Sequence, residues 1–167
     1  SMTSTVEGPF GSHLMAGGFM LNNELTDFSM LPELNGRKIA NRVQPNKRPM
    51  SSMTPTIIFK DKNLFALTGS PGGTSIINYV TKSVLGLIDW SLDPYEVTEL
   101  PHYMNRGNYT ELEKNTVLES LATELESLGH PIKIQNKRSG LHIALKKDNG
   151  YIGSADPRRE GLVIPIN

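Results

Sequence analysis

Gly69-Ser70-Pro71-Gly72-Gly73 stands between an apolar run at 64–68 and a segment at 74–88 whose apolar residues return at helical spacing. A chain that passes from strand to helix through two adjacent glycines needs backbone conformations that other residues adopt only under strain. The first N–H groups of a helix have no intrahelical partner, so at such a junction they can converge on one negatively charged oxygen. The turn is therefore a candidate oxyanion hole. Its plainer alternative is a tight turn that uses glycine for positive φ.

Upstream lies Lys47-Arg48-Pro49-Met50-Ser51-Ser52-Met53-Thr54-Pro55-Thr56, which sets two adjacent hydroxyls between prolines that keep the backbone extended. With 167 residues and 37% hydrophobic content the chain can bury one core, and residues 1–167 are expected to form a single domain. Seventeen basic residues balance seventeen acidic ones, leaving no excess charge for a nucleic acid backbone or an acidic membrane surface. No apolar run approaches the roughly 20 residues that a membrane helix needs, so neither nucleic acid nor membrane is an expected partner. With no cysteine, thiol chemistry and thiolate metal sites are excluded, and the four histidines form no HxxH or HxxxH pattern. No metal is expected.

Phe19-Met20-Leu21 reads as a short strand running into an Asn22-Asn23 turn, followed by a polar loop at 33–49. Residues 56–60 and 64–68 read as a β-hairpin around Asp61-Lys62-Asn63. Ile76, Ile77, Val80, Val84, Leu87 and Ile88 define one apolar helical face that should pack on that hairpin. Asp93-Pro94-Tyr95-Glu96 announces a short helix ending before Pro101. A second amphipathic helix carries Val117, Leu118, Leu121, Ala122, Leu125 and Leu128, with Gly129 as its left-handed cap. Strands at 132–135, 141–146 and 151–154 close the chain. Helices packed on mostly antiparallel sheets, an α+β class, are the expected product.

Glu24 and Asp27 lie three apart, so in one helical turn both carboxylates face one point and would attract an ammonium; solvated or capping acids share this spacing. Ser51 and Ser52 are either ligands or loop hydroxyls that satisfy backbone. His13, His102, His130 and His142 have no partner at a recognisable catalytic spacing and read as surface or satisfied core residues, with Tyr79 and Trp90 as core. Arg158-Arg159 beside Asp156 and Glu160 reads as a structural ion-pair cluster.

Leu21-Asn22-Asn23-Glu24-Leu25-Thr26-Asp27-Phe28-Ser29, the 47–56 segment, Thr68-Gly69-Ser70-Pro71-Gly72-Gly73 and Ser154-Ala155-Asp156-Pro157-Arg158-Arg159-Glu160-Gly161 together resemble the small subunit of the gamma-glutamyltransferase (gamma-glutamyltranspeptidase) family, over essentially the whole chain. That resemblance implies an N-terminal-nucleophile hydrolase fold, with antiparallel sheets sandwiched between helical layers, made when a precursor cleaves itself into two subunits. It implies an enzyme that opens the γ-glutamyl amide of glutathione and related compounds through a γ-glutamyl-threonine ester and passes the acyl group to water or an amino acid, with no cofactor. By the same resemblance Gly72 and Gly73 form the oxyanion hole, Thr5 orients the nucleophile, Glu24 and Asp27 hold the substrate ammonium, and Ser51 and Ser52 hold its carboxylate. Glu7 falls where the family has an ammonium-binding asparagine. Ser1 aligns past the nucleophilic threonine, so this chain by itself is expected to be inactive. The expected partners are the large subunit of the same precursor and a γ-glutamyl small molecule. The expected home is periplasmic or secreted, and an isolated chain would expose apolar and strand-edge surface that favours self-association. A cephalosporin-acylase-like amidase on the same scaffold and a phosphate-binding module are the alternatives; the glycine turn lacks the Lys-Ser/Thr ending of a phosphate loop.

Overall fold

The computed structural model describes residues 1–8 and 10–165. The chain divides into two compact units, Ser4–Ser52 and Met53 onward with Ser1–Thr3.

In the Ser4–Ser52 unit regular structure is sparse because glycine and asparagine punctuate it every few residues. β1 (Met15–Ala16) and β2 (Phe19–Met20) pair antiparallel around Gly17-Gly18, both at positive φ. A 3-10 turn, Glu24–Asp27, follows the Asn22-Asn23 pair. The expected loop at 33–49 contains a second small hairpin, β3 (Glu33–Leu34) with β4 (Arg37–Lys38). Its Asn35-Gly36 turn has φ of 50° and 73°, the left-handed pair that matches strand twist. Asn41 ties the unit together: its side chain donates to Asp27 O at 2.6 Å and accepts from Met50 N at 2.8 Å, while Asn41 O accepts from Ser29 N at 2.9 Å. Phe28 is buried at its centre.

The larger unit is built on β5 (Thr56–Lys60) and β6 (Asn63–Gly69), joined by Asp61-Lys62 with both residues at positive φ and a bulge at Ile58/Phe59. This is the hairpin expected from sequence, one residue tighter at its turn. β6 leads through the glycine turn and a 3-10 turn, Gly73–Ser75, into α1 (Ile76–Ile88). α2 (Pro94–Glu99) follows, and Asp93 and Glu96 close a reciprocal capping box: Glu96 N donates to Asp93 Oδ1 at 2.9 Å and Asp93 N donates to Glu96 Oε2 at 2.8 Å.

β7 (Tyr103–Asn105) and β8 (Thr110–Glu113) come next. A 3-10 turn, Val117–Leu121, and α3 (Ala122–Ser127) then carry the chain to β9 (Ile132–Gln135), which runs parallel to β8. The helical crossover is what a parallel pair requires. β10 (His142–Lys147) and β11 (Gly150–Ala155) return to the first sheet and complete the antiparallel order β11-β10-β6-β5. The class is α+β, as expected.

Alternation along the strands sends Ala66, Ile143 and Leu145 to one face, where Leu87 of α1 and Val97 of α2 cover them and Leu141 completes the cluster. The helical face read from sequence needs correction. Ile76, Val80 and Leu87 are buried, but Ile77 is 53% and Ile88 49% exposed; Tyr79, Ser83 and Gly86 take the inward positions instead. The buried stripe is rotated because α1 meets both the sheet and α2. Trp90, expected in the core, is 49% exposed, whereas Tyr79 is buried as expected. Val117, Leu121 and Leu128 also remain outward, so the helical crossover leaves apolar surface uncovered among the described residues.

Gly86 of α1 lies against Val97 of α2. A Cβ there would stand 2.8 Å from Val97 Cγ2. Gly86→Val is expected to lower unfolding free energy by about 1–3 kcal/mol despite the better helix propensity of the new side chain. Combining it with Val97→Ala should recover part of that loss in a urea-denaturation double-mutant cycle. Strict additivity would show that this contact does not limit the packing.

Candidate functional site

The glycine turn is held by its own neighbours. Ser70, buried at the end of β6, donates to Pro71 O at 2.7 Å and accepts from Gly140 N at 3.2 Å. The Pro71 ring lies against Gly140, where an added Cβ would meet Pro71 Cγ at 2.8 Å. Gly72 has φ 138° and Gly73 φ 56°, so both adopt conformations that favour glycine. Gly72 has a second reason: a Cβ would stand 2.7 Å from Tyr79 Cε2. Ser75 N donates to Gly72 O at 3.1 Å, and Ile76 N donates to Gly73 O. These are the first donors used inside the turn, and the Gly72 and Gly73 amides stand ahead of them. Such amides suit a developing negative charge. Sequence reasoning missed Arg106, whose guanidinium reaches both hydroxyls that follow the glycines, Thr74 and Ser75. At 31 and 32 residues' separation no spacing signal could have found it.

Behind Tyr79 runs a buried polar chain. The Tyr79 and His102 rings are 4.2 Å apart. Lys82 Nζ lies 2.7 Å from Leu100 O, 2.9 Å from Pro101 O and 2.7 Å from His102 Nδ1. His102 Nε2 lies 2.7 Å from Ser139 Oγ and 4.0 Å from Asp156 Oδ2. Asp156 accepts from Leu141 N at 3.1 Å, Arg158 N at 3.0 Å and Arg158 Nη1 at 3.1 Å, and Arg158 also pairs with Glu113. Serine, histidine and aspartate in contact resemble nucleophile machinery, but Ser139 is 0% exposed and has no route to substrate. His102 is thus the satisfied core residue expected from sequence. The expected Arg158 cluster is corrected in one partner. Glu113 takes the place assigned to Glu160, while Arg159 donates to Arg138 O.

At the two buried bases, burial dominates the electrostatics. It pushes the Lys82 ammonium down to about 7, aided by the Arg158 charge, with Glu113 and Asp156 opposing. Burial likewise lowers His102. For Asp156 burial would raise the pKa, but the His102 ring and the Ser139 hydroxyl beside it, with the backbone N–H groups of Arg158 and Leu141, outweigh it and hold the carboxyl well below its usual range.

The Ser4–Ser52 unit holds the remaining predicted residues. Glu24 and Asp27 begin and end one 3-10 turn, whose three-residue period eclipses side chains three apart and places both carboxylates on one side. The buried Thr5 hydroxyl donates to Glu24 Oε2, joining the acids to the N-terminal segment. Glu7 is exposed and donates its backbone N–H to Asn23 Oδ1 at 2.9 Å. Ser51 is exposed and Ser52 half-buried in the extended stretch after Pro49. The structure therefore brings together Thr5, Glu24 and Asp27 in one unit, and Gly72 with Gly73 in the other. Among the described residues no group of three or more acidic or histidine side chains could hold a metal ion.

A lysine whose folded pKa lies below its unfolded value opposes folding in full where both states are charged, and the penalty fades as pH rises from the folded to the unfolded pKa. Between about 7 and 10.5 the unfolded state binds more protons at Lys82, so the contribution of this site to stability rises with pH through that window and is flat below it. Urea midpoints measured from about pH 7 to about pH 9.5 should rise less steeply for Lys82→Met than for the parent protein. Parallel profiles would show that Lys82 stays charged in the fold.

The gamma-glutamyltranspeptidase family profile matches residues 1–166. Over 175 aligned residues the chain is 39% identical to the glutathione hydrolase proenzyme of Bacillus subtilis (strain 168), covering 100% of this chain and 28% of that protein. The chain thus spans less than a third of the length of the Bacillus subtilis (strain 168) and Escherichia coli (strain K12) glutathione hydrolase proenzymes that it matches. Among solved structures, the T380A mutant of Helicobacter pylori gamma-glutamyltranspeptidase superposes with a TM-score of 0.77 at 32% identity, covering 95% of this chain and 92% of that one. Gamma-glutamyltranspeptidase from Pseudomonas nitroreducens, complexed with L-DON, shares the fold with a TM-score of 0.82 at 23% identity, covering 99% and 92%. The fold is the N-terminal-nucleophile hydrolase type expected from sequence.

Proposed function

The chain belongs to the gamma-glutamyltranspeptidase family, and we propose that the protein of which it is part opens the γ-glutamyl amide bond of glutathione and related compounds. In this reading a threonine outside residues 1–167, freed as a new N-terminus by cleavage of a precursor, attacks the γ-carbonyl while its own α-amine takes the hydroxyl proton. The C–N bond then breaks, the amine leaves with a proton, and a γ-glutamyl ester remains. Water or an amino-acid amine attacks that ester and restores the threonine.

The observation that carries the reading is the glycine turn itself: two consecutive amides ahead of α1, on backbone that glycine alone adopts easily. Each such donor aimed at a tetrahedral oxyanion is worth about 2.7–4 kcal/mol of barrier. Glu24 and Asp27 supply a doubly negative place for the substrate ammonium, and Thr5, bonded to Glu24, couples that place to the nucleophile. Ser51 and Ser52 bond the α-carboxylate beside an arginine contributed by a large subunit, the proposed partner. Glu7 stands near the ammonium through its backbone contact to Asn23. A periplasmic or secreted location accompanies this reading.

The test uses the full-length protein with γ-glutamyl-p-nitroanilide and with glutaryl-p-nitroanilide, which lacks the ammonium. Losing a charge-assisted hydrogen bond to that ammonium, worth about 1.5–3 kcal/mol, should raise KM for the γ-glutamyl substrate about tenfold or more in Asp27→Asn. The glutaryl compound should be a poor substrate for the parent protein. Equal turnover of the two compounds would instead mark an acylase that does not read the amine.

A further inference from the structure

We infer that Arg106 is a positioning residue that locks the glycine turn by gripping both hydroxyls on its helical side. The inference rests on the assignment of Gly72 and Gly73 as oxyanion donors. Neither glycine has a side chain to anchor it, so the direction of its N–H depends on what holds the flanking residues. On the strand side Ser70 and Pro71 are fixed by Gly140. On the helix side the first side chains are Thr74 and Ser75, and Arg106 donates to both, Nη1 to Thr74 Oγ1 at 2.7 Å and Nη2 to Ser75 Oγ at 2.7 Å. A planar guanidinium that makes two bonds at once fixes angle as well as distance, which a single ammonium cannot do.

The fork is itself held. Arg106 Nε donates to Glu111 Oε1 at 3.0 Å, and Glu111 is buried in β8 with its other oxygen paired to the buried Lys137. Burial would raise the Glu111 pKa, but hydrogen bonds from Arg106 and Lys137 hold the carboxyl below its usual range, so the anchor stays charged. The turn is thereby tied to the β7-β8-β9 sheet through Arg106, which lies just past β7. Since Lys137 remains beside Glu111, removing the Arg106 side chain leaves that carboxylate paired. Sub-ångström drift of donor amides costs rate while leaving substrate contacts intact, because the oxyanion exists only in the transition state.

The experiment measures kcat and KM for γ-glutamyl-p-nitroanilide in the full-length protein, normalised to folded protein. Arg106→Ala and Arg106→Lys should each lower kcat about tenfold or more, with KM changed by about twofold or less. Lysine keeps the charge beside Glu111 but cannot grip two hydroxyls, so a return of kcat to the parent value in Arg106→Lys overturns the inference. Thr74→Val removes one exposed acceptor and should lower kcat several-fold, less than additively with Arg106→Ala; unchanged kcat in Thr74→Val also overturns it, and decides the matter if Arg106→Ala does not fold. Gly73→Pro, which has no backbone N–H to give, separates the two levels. A normal kcat there sinks the oxyanion assignment and the clamp with it, whereas a low kcat there beside normal Arg106 variants sinks the clamp alone.

Discussion

The larger unit is organised around charges that have been taken out of water. Glu113 of β8 and Asp156, just past β11, are both buried, and Arg158 lies between them, pairing with each and donating to Thr98 O and Leu100 O at the end of α2. Desolvating a carboxylate costs several kcal/mol, and the cost is met only when its oxygens are fully occupied. Occupying them requires β8, α2 and the end of β11 to arrive at one place together. Lys82 and His102 extend the same condition to α1 and to the start of β7. Among the described residues no buried side-chain polar atom lacks a hydrogen-bond partner, the condition under which a network of this kind specifies a unique arrangement.

That network also explains why the glycine turn can be both exposed and well defined. Its two glycines contribute no packing of their own, and its rigidity is borrowed from Ser70 on one side and from Tyr79, Ser75 and Arg106 on the other. Tyr79 touches Gly72 in front and His102 behind, so the buried chain and the turn share a side chain. The catalytic reading thus makes physical sense of polar residues that would otherwise be a costly way to fill a core. In the proposed function they keep backbone donors from relaxing toward water before the reaction needs them.

The sequence was most legible where a structural decision depends on neighbours a few positions apart. The Asp61-Lys62 hairpin, the Asp93 capping box, the glycine passage from β6 to α1 and the Gly129 cap follow from turn and cap chemistry that acts within one helical turn. Glu24 and Asp27 were readable for the same reason, since a three-residue period brings their carboxylates to one side whatever surrounds them. β7 and β8 were missed because they are short and because Glu111 and Glu113 look solvent-facing in a polar stretch. Only distant partners, Lys137 and Arg158, allow them to be buried. Ile77, Ile88 and Trp90 were misplaced because helical periodicity gives a stripe but not its rotation, which is set by what the helix meets.

By itself, then, the order of residues determined the local elements, the glycine turn and the paired acids, because backbone sterics and short-range hydrogen bonds are complete within a few residues. Tertiary structure alone decided which side of α1 faces inward, which carboxylates are held by which cations, and that Arg106 grips the turn from 31 and 32 residues away. Those outcomes depend on desolvation and on long-range pairing, whose energies exist only once the sheets and helices have come together.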